Sequence, residues 1–182
     1  MWKFIKSSSD KSNWLIHNKK EICFIGRSNV GKSSLINALA RQNKLAKTSK
    51  TPGRTQLINY FENENGKIIV DLPGYGFAQI SLSAQKKMFK MIDEYFNEAK
   101  PNIVFVLIDA RRGIMKQDQE IIDYLVSLKH NIILIITKTD KATQKEISQI
   151  LKNEHFKKIK YFQSAISNEK KISLIRDFIN NI

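Results

Sequence analysis

The chain has a single cysteine, Cys23, so it cannot close an internal disulfide, and the apolar stretch around it favours a buried packing thiol over a reactive one. Its three histidines, His17, His130 and His155, are scattered without ligand spacing, and no Cys/His cluster suggests zinc. No window approaches the roughly 18 to 20 apolar residues that span a bilayer, so no membrane span is expected. The opening MWKFIKSSSDKSNW lacks the apolar core of a signal peptide, which places the expected location in the cytoplasm. Acidic residues are few: 17 Asp and Glu stand against 31 Lys and Arg, a formal net charge of +14. That field attracts polyanions, and nucleic acid is the natural partner because each phosphate contact releases counterions. A Lys-, Asn- and Ile-rich chain can also reflect the base composition of a genome, and charge alone leaves both explanations open.

A length of 182 residues suits one domain with one substantial core. Residues 1–19 mix Ser, Lys and Asn with isolated aromatics and read as a loosely attached arm with one strand-like or anchoring patch, in which Trp2, Phe4 and Trp14 could pack on the body. Residues 20–182 alternate short apolar runs with amphipathic segments, the pattern of an α/β domain with a mostly parallel sheet. Strands are expected at 21–25, 56–62, 67–72, 102–109, 131–137 and 158–162, and helices at 32–43, 83–99, 117–128, 143–153 and 169–180. The second and third strands are separated only by a polar segment ending in Asn65-Gly66, a hairpin signal. The expectation is a three-layer sandwich around a six-stranded, mostly parallel sheet with one antiparallel hairpin strand.

Gly26 to Ser33 reads GRSNVGKS, a complete G-x-x-x-x-G-K-[ST] pattern directly after the apolar run at 22–25. Gly26 and Gly31 let the backbone curl with its N–H groups inward, Lys32 can reach outer phosphates, and the Ser33 hydroxyl can ligate magnesium. Asp71-Leu72-Pro73-Gly74 supplies D-x-x-G: a carboxylate able to hold magnesium through water and a glycine N–H free for a terminal phosphate. Pro-Gly is also a common turn. Thr137-Lys138-Thr139-Asp140 ends an apolar strand at the carboxyl edge, where open α/β sheets bind ligands. A carboxylate at Asp140 can accept from guanine N1 and N2, and adenine offers no matching pair. The stem of Lys138 can lie over the base, and Ser164-Ala165 could present a backbone N–H to it. A solvated turn and a pair of small residues remain the simpler readings of these last two segments.

Together the strings GRSNVGKSSLINAL, TPGRTQLINYF, DLPGYG and TKTDK resemble the EngB family of ribosome biogenesis GTP-binding proteins, in the translation-factor class of P-loop GTPases, over nearly all of residues 20–180. The resemblance implies a P-loop GTPase domain in which Gly26, Arg27, Ser28, Asn29, Val30, Gly31, Lys32, Ser33 and Ser34 bind phosphates. It implies that Pro52, Gly53, Arg54 and Thr55 belong to switch I, with Thr55, Ser33 and water-mediated Asp71 as magnesium ligands. Asp71, Leu72, Pro73 and Gly74 would sense the terminal phosphate, and Thr137, Lys138, Thr139, Asp140, Ser164, Ala165 and Ile166 would select guanine. It further implies GTP and GDP as ligands, ribosomal RNA and large-subunit particles as partners, a monomer, and a link to cell division and septation.

Two departures from the general GTPase pattern bear on mechanism. Thr137 stands where most GTPases carry Asn, so the expected tether to the phosphate loop is weaker. Tyr75 follows Gly74 where Ras-type enzymes place a water-orienting Gln; it should turn away from the phosphate, leaving no assigned catalytic base and only Lys32, Thr55 and Gly74 for transition-state and phosphate contacts. Slow intrinsic hydrolysis, stimulated by a partner, is the expectation. Asn29 could coordinate a potassium ion that acts as an internal arginine finger, or simply hydrogen-bond within its loop. The segment from Lys44 to Thr55 is basic and poor in apolar residues, so it should be mobile, and GTP would order it. Two other classes remain: a basic RNA-binding module with a structural nucleotide, and a P-loop kinase or ATPase, which would need a lid and no guanine-selecting Asp.

Overall fold

The computed structural model describes residues 1–47, 57–76, 81–154 and 156–182. Seven strands, β1 (Lys3–Ser8), β2 (Glu21–Gly26), β3 (Ile58–Glu62), β4 (Ile68–Asp71), β5 (Ile103–Asp109), β6 (Ile132–Thr137) and β7 (Tyr161–Gln163), form one sheet in the order β1-β3-β4-β2-β5-β6-β7. The five strands from β4 to β7 in that order are parallel, and β3 runs antiparallel to both β4 and β1. Helices α1 (Lys32–Ala40) and α5 (Glu169–Asn180) cover one face; α2 (Leu82–Glu98), α3 (Lys116–Ser127) and α4 (Gln144–Leu151) cover the other. The central strands are apolar on both sides because both faces are covered. In β2, Cys23 and Ile25 face the α2–α3–α4 layer while Ile22 and Phe24 face α1 and α5. Burial pushes the Cys23 thiol well above its ordinary pKa, which suits an inert packing group.

The sheet has one strand more than the six expected. The addition is β1, drawn from the N-terminal segment, with Lys3 opposite Glu62 and Ser8 opposite Ile58. An edge strand is held by main-chain hydrogen bonds and buries little, so KFIKSS needs no strong apolar alternation to pair. Trp2, only 2% exposed, anchors it against the α1–α5 layer, and its carbonyl accepts from Gln42 Nε2 at 3.0 Å. Trp14 packs edge-on against Tyr95 of α2, ring centroids 5.9 Å apart. The Asn65-Gly66 turn closes the β3–β4 hairpin as expected, with Asn63 Oδ1 accepting from Asn65 N and Lys67 N and Gly66 at φ 73°.

The first helix, whose start is the glycine loop, is held at its C-terminal end. Its C-terminal carbonyls, on Leu39 and Ala38, accept from Nε and Nη2 of the buried Arg176 on α5 at 2.8 and 2.9 Å, an arrangement that also suits the negative end of the helix dipole. Asn37 exchanges two hydrogen bonds with the backbone of Ala46, tying down the chain that leaves the helix.

Replacing Trp2 with Ala should lower the unfolding free energy by about 3 kcal/mol in a urea titration, since a large buried side chain leaves a cavity. Phe4→Ala, at a side chain 52% exposed, should cost under about 1 kcal/mol. Equal effects of the two would mean that β1 is held by its strand pairing alone.

Candidate nucleotide-binding site

The carboxyl ends of β2, β4, β5, β6 and β7 gather those sequence-predicted residues that are described at one rim of the sheet. Gly26 ends β2, and a Cβ there would meet Leu107 Cβ and Val30 Cγ1 at 3.0 Å, so only glycine lets the loop leave the strand this close to β5. Asn29 and Gly31 adopt left-handed conformations at φ 61° and 103°, and Gly31 is the N-cap of α1. The loop therefore wraps over the start of the helix, where unpaired amides and the positive dipole end make an anion cradle. Lys32 and Ser33 form the first turn. Lys32 Nζ is buried against the Asp71 carboxylate at the end of β4.

Asp71, Leu72, Pro73 and Gly74 are all buried. A Cβ on Gly74 would come within 3.2 Å of Ser28 N and 3.3 Å of Gly26 O, so the D-x-x-G segment and the glycine loop touch backbone to backbone. Ser28 N donates to Tyr75 O at 2.8 Å and Tyr75 N to Gly26 O at 3.2 Å, which locks this contact. The Tyr75 side chain turns into the protein, where its hydroxyl donates to Asp118 Oδ1 of α3 at 2.8 Å. Burial raises the pKa of Asp118, while hydrogen bonds from Met115 N and Tyr75 and the charge of Arg27 act against that rise. Tyr75 is thus committed to α3 and faces away from the rim.

The TKTD segment is tied to the glycine loop twice. Thr137 Oγ1 donates to Val30 O at 2.7 Å and also lies 3.2 Å from Ile108 O. Lys138, in the left-handed region at φ 56°, places Nζ 2.6 Å from Asn29 O and 2.9 Å from Asp109 Oδ2. Its stem crosses beside Gly31, whose added Cβ would stand 3.5 Å from Lys138 Cε. Thr139 bonds Ser164 O through its backbone N at 3.1 Å and its hydroxyl at 3.2 Å, and Lys171 Nζ bridges Thr139 Oγ1 and Gln163 Oε1. Asp140 stays exposed, touched by Ser167 Oγ at 3.2 Å; Ser164 and Ala165 are buried, and Ile166 is exposed. Pro52, Gly53, Arg54 and Thr55 lie outside the described residues.

Asp109, to which sequence reasoning gave no role, is the hub behind this arrangement. It ends β5 at the rim, and its carboxylate accepts from Arg111 Nε and Nη2 at 3.0 and 2.8 Å and from Lys138 Nζ. Burial pushes the carboxyl up, but the Arg111 and Lys138 hydrogen bonds outweigh it and hold the pKa at about 2. The available signal was its position: a carboxylate closing a seven-residue apolar parallel strand falls on the ligand-binding edge.

A phosphate-type glycine loop, a D-x-x-G segment packed on it and a T-K-x-D loop hydrogen-bonded to it define a P-loop GTPase. The profile of a family described as 50S ribosome-binding GTPase matches residues 21–138. A probable GTP-binding protein EngB of Metamycoplasma arthritidis is 60% identical over 147 residues, 80% of each chain. One of Mycoplasmopsis agalactiae is 45% identical over 184 residues, covering 100% of this chain and 92% of the other. Among solved structures, a probable GTP-binding protein engB superposes with a TM-score of 0.69 at 26% identity, covering 88% of this chain and 97% of the other. Era in complex with MgGDPNP and nucleotides of 16S ribosomal RNA shares the fold, with a TM-score of 0.67 at 24% identity over 91% of this chain and 57% of Era. The chain belongs to the EngB family of GTP-binding proteins, and it is a GTPase.

Thr137→Val keeps the shape but leaves the Val30 carbonyl without its donor, a loss of about 1 kcal/mol or more. GDP release, followed by stopped flow with a fluorescent GDP, should become roughly fivefold to tenfold faster; an unchanged rate would show that the tether is not needed. The Asp109 carboxyl titrates at about 2 in the fold against an ordinary 3.8. Its ion pairs therefore stabilise the fold fully above about pH 4 and are lost as the pH falls towards about 2. Urea titrations across that window should show a shallower acid loss of stability in Asp109→Asn than in the wild type.

Proposed function

We propose that the chain is a GTP-driven switch in assembly of the large ribosomal subunit, working as a cytoplasmic monomer, and that normal cell division and septation depend on it. The observation that carries the reading is the joined rim: an exposed Asp140 carboxylate on a loop bonded to the glycine loop through Thr137 and Lys138. Asp140 accepts from guanine N1–H and N2–H, the Lys138 stem lies over the base, and the Ser164–Ile166 backbone meets the base carbonyl. Residues 26–34 take the phosphates, and Lys32 leaves Asp71 for the outer ones while Gly74 N–H meets the terminal one. The description of the family as ribosome-binding and the net charge of +14 support a ribosomal RNA partner.

Ser33 and Asp71 offer hard oxygen donors, few in number, which suits magnesium: it keeps several waters and takes the rest of its shell from phosphates. These two residues would hold it, with Thr55 as a third, and when bound it neutralises charge on the phosphates. Because the hydroxyl of Tyr75 is bonded to Asp118, the position after Gly74 orients no water. Intrinsic turnover is therefore slow, on the order of the 10⁻⁴ per second of unassisted template enzymes, and a partner raises it.

Asn29 holds a left-handed, exposed place in the phosphate loop, and we assign it a potassium ion beside the phosphates. Turnover in potassium should then exceed that in sodium at equal ionic strength by about tenfold or more; equal rates would remove the ion from the account. For the switch itself, lysate incubated with GDP or a non-hydrolysable GTP analogue is sedimented at two salt concentrations. Co-sedimentation with the large subunit in the analogue alone, weakened by salt, is the expected result. Sedimentation indifferent to the nucleotide would instead make the nucleotide a structural part of an RNA-binding module.

A further inference from the structure

At the amino ends of β5 and β6, about 20 Å along the strands from the nucleotide rim, an open groove of about 500 Å³ runs between the two helical layers. Its polar lining is Lys158, Lys160, His130 and Asn131, and it includes no carboxylate. Among the described residues neither lysine has an ion-pair partner. Lys160 Nζ stands 4.1 Å from the centre of the Phe178 ring, which pins the ammonium at the edge of the groove without neutralising it. His130 is fixed by Nε2 donating to Phe96 O at 2.8 Å and by its ring standing edge-on to Phe96. Lys129, exposed and left-handed at φ 60°, flanks the same turn. The buried Ile103 and Ile133 lie beneath the groove, with Ile159 and Phe178 also lining it, so its floor is apolar.

We infer that this groove is a second RNA contact, taking a single-stranded segment with its phosphates on Lys158 and Lys160 and an unstacked base over the apolar floor. The inference rests on the ribosomal RNA partner proposed above. Lysine is depleted at protein–protein interface cores, whereas uncompensated lysines around an apolar floor with an aromatic ring fit a nucleic-acid strand. The groove shares no residue with the nucleotide rim, so this contact does not change with GTP or GDP. It holds the RNA while the rim end engages and lets go, which raises the effective concentration of the switched contact.

The test compares the full-length wild type with Lys158→Gln/Lys160→Gln and with Lys158→Arg/Lys160→Arg. Binding to labelled oligouridylate and to purified large-subunit ribosomal RNA is measured against salt, in GDP and in a GTP analogue. The Gln pair should bind RNA about tenfold more weakly, with a log–log salt slope smaller by about 1.4, to the same extent in both nucleotides. The Arg pair should bind like the wild type, and GDP affinity and thermal melting should be unchanged in both. RNA binding by the Gln pair equal to that of the wild type overturns the groove and leaves the switch standing. Loss of particle binding with binding to free RNA intact also overturns it, making the groove a protein-docking surface. A wild type that binds no RNA in either nucleotide sinks the ribosomal RNA partner, and the groove with it.

Discussion

The hydrogen bond from the Thr137 hydroxyl to the Val30 carbonyl, reinforced by Lys138 on Asn29 O, is the constraint on which the rest of the rim depends. It joins two loops 107 residues apart in sequence, the glycine loop and the loop that carries the exposed Asp140 carboxylate. Both acceptors are backbone carbonyls, so the joint depends on the path of the glycine loop rather than on its side chains. A ligand that spans both loops meets a preformed pair of contacts and forgoes the cost of ordering each separately. The threonine here is shorter than the asparagine usual in GTPases, yet from the end of β6 its hydroxyl reaches the Val30 carbonyl at 2.7 Å.

The surroundings serve that joint. Asp109 holds Lys138 from below and Arg111 from the side, Lys171 stitches Thr139 to Gln163, and Arg176 grips the far end of α1. On the other side, Gly74 lets the D-x-x-G segment lie against the glycine loop, and Tyr75 fastens the same segment to α3 through Asp118. The hydroxyl that could have faced a phosphate thus serves packing. The aromatic side chain that follows Gly74 is thereby committed to structure.

Much of this was legible in the sequence because the central strands and the phosphate loop obey strong local rules. Residues 22–25, 103–108 and 132–136 are continuous apolar runs, which only doubly covered parallel strands require, and Gly31 at φ 103° sits where the motif demands a left-handed turn. The edge strand β1 was legible only as a strand-like or anchoring patch within the arm, since its pairing is carried by backbone and a single buried tryptophan. Helix α1 stops at Ala40, earlier than periodicity suggests, because Arg41 turns left-handed and Asn37 captures Ala46 instead. Asp109 read as a loop or interface residue because its link to the site comes from Lys138, 29 positions away, which the parallel register of β5 and β6 brings beside it.

The central claim is that one rim reads guanine and phosphate as a unit through Asp140 and the joined loops. Calorimetric titration of the full-length protein with GDP and with ADP, both with magnesium, tests it most directly. A site that hydrogen-bonds the guanine N1 and N2 hydrogens should bind GDP at least about a thousandfold more tightly than ADP. Equal affinity for the two would contradict the account.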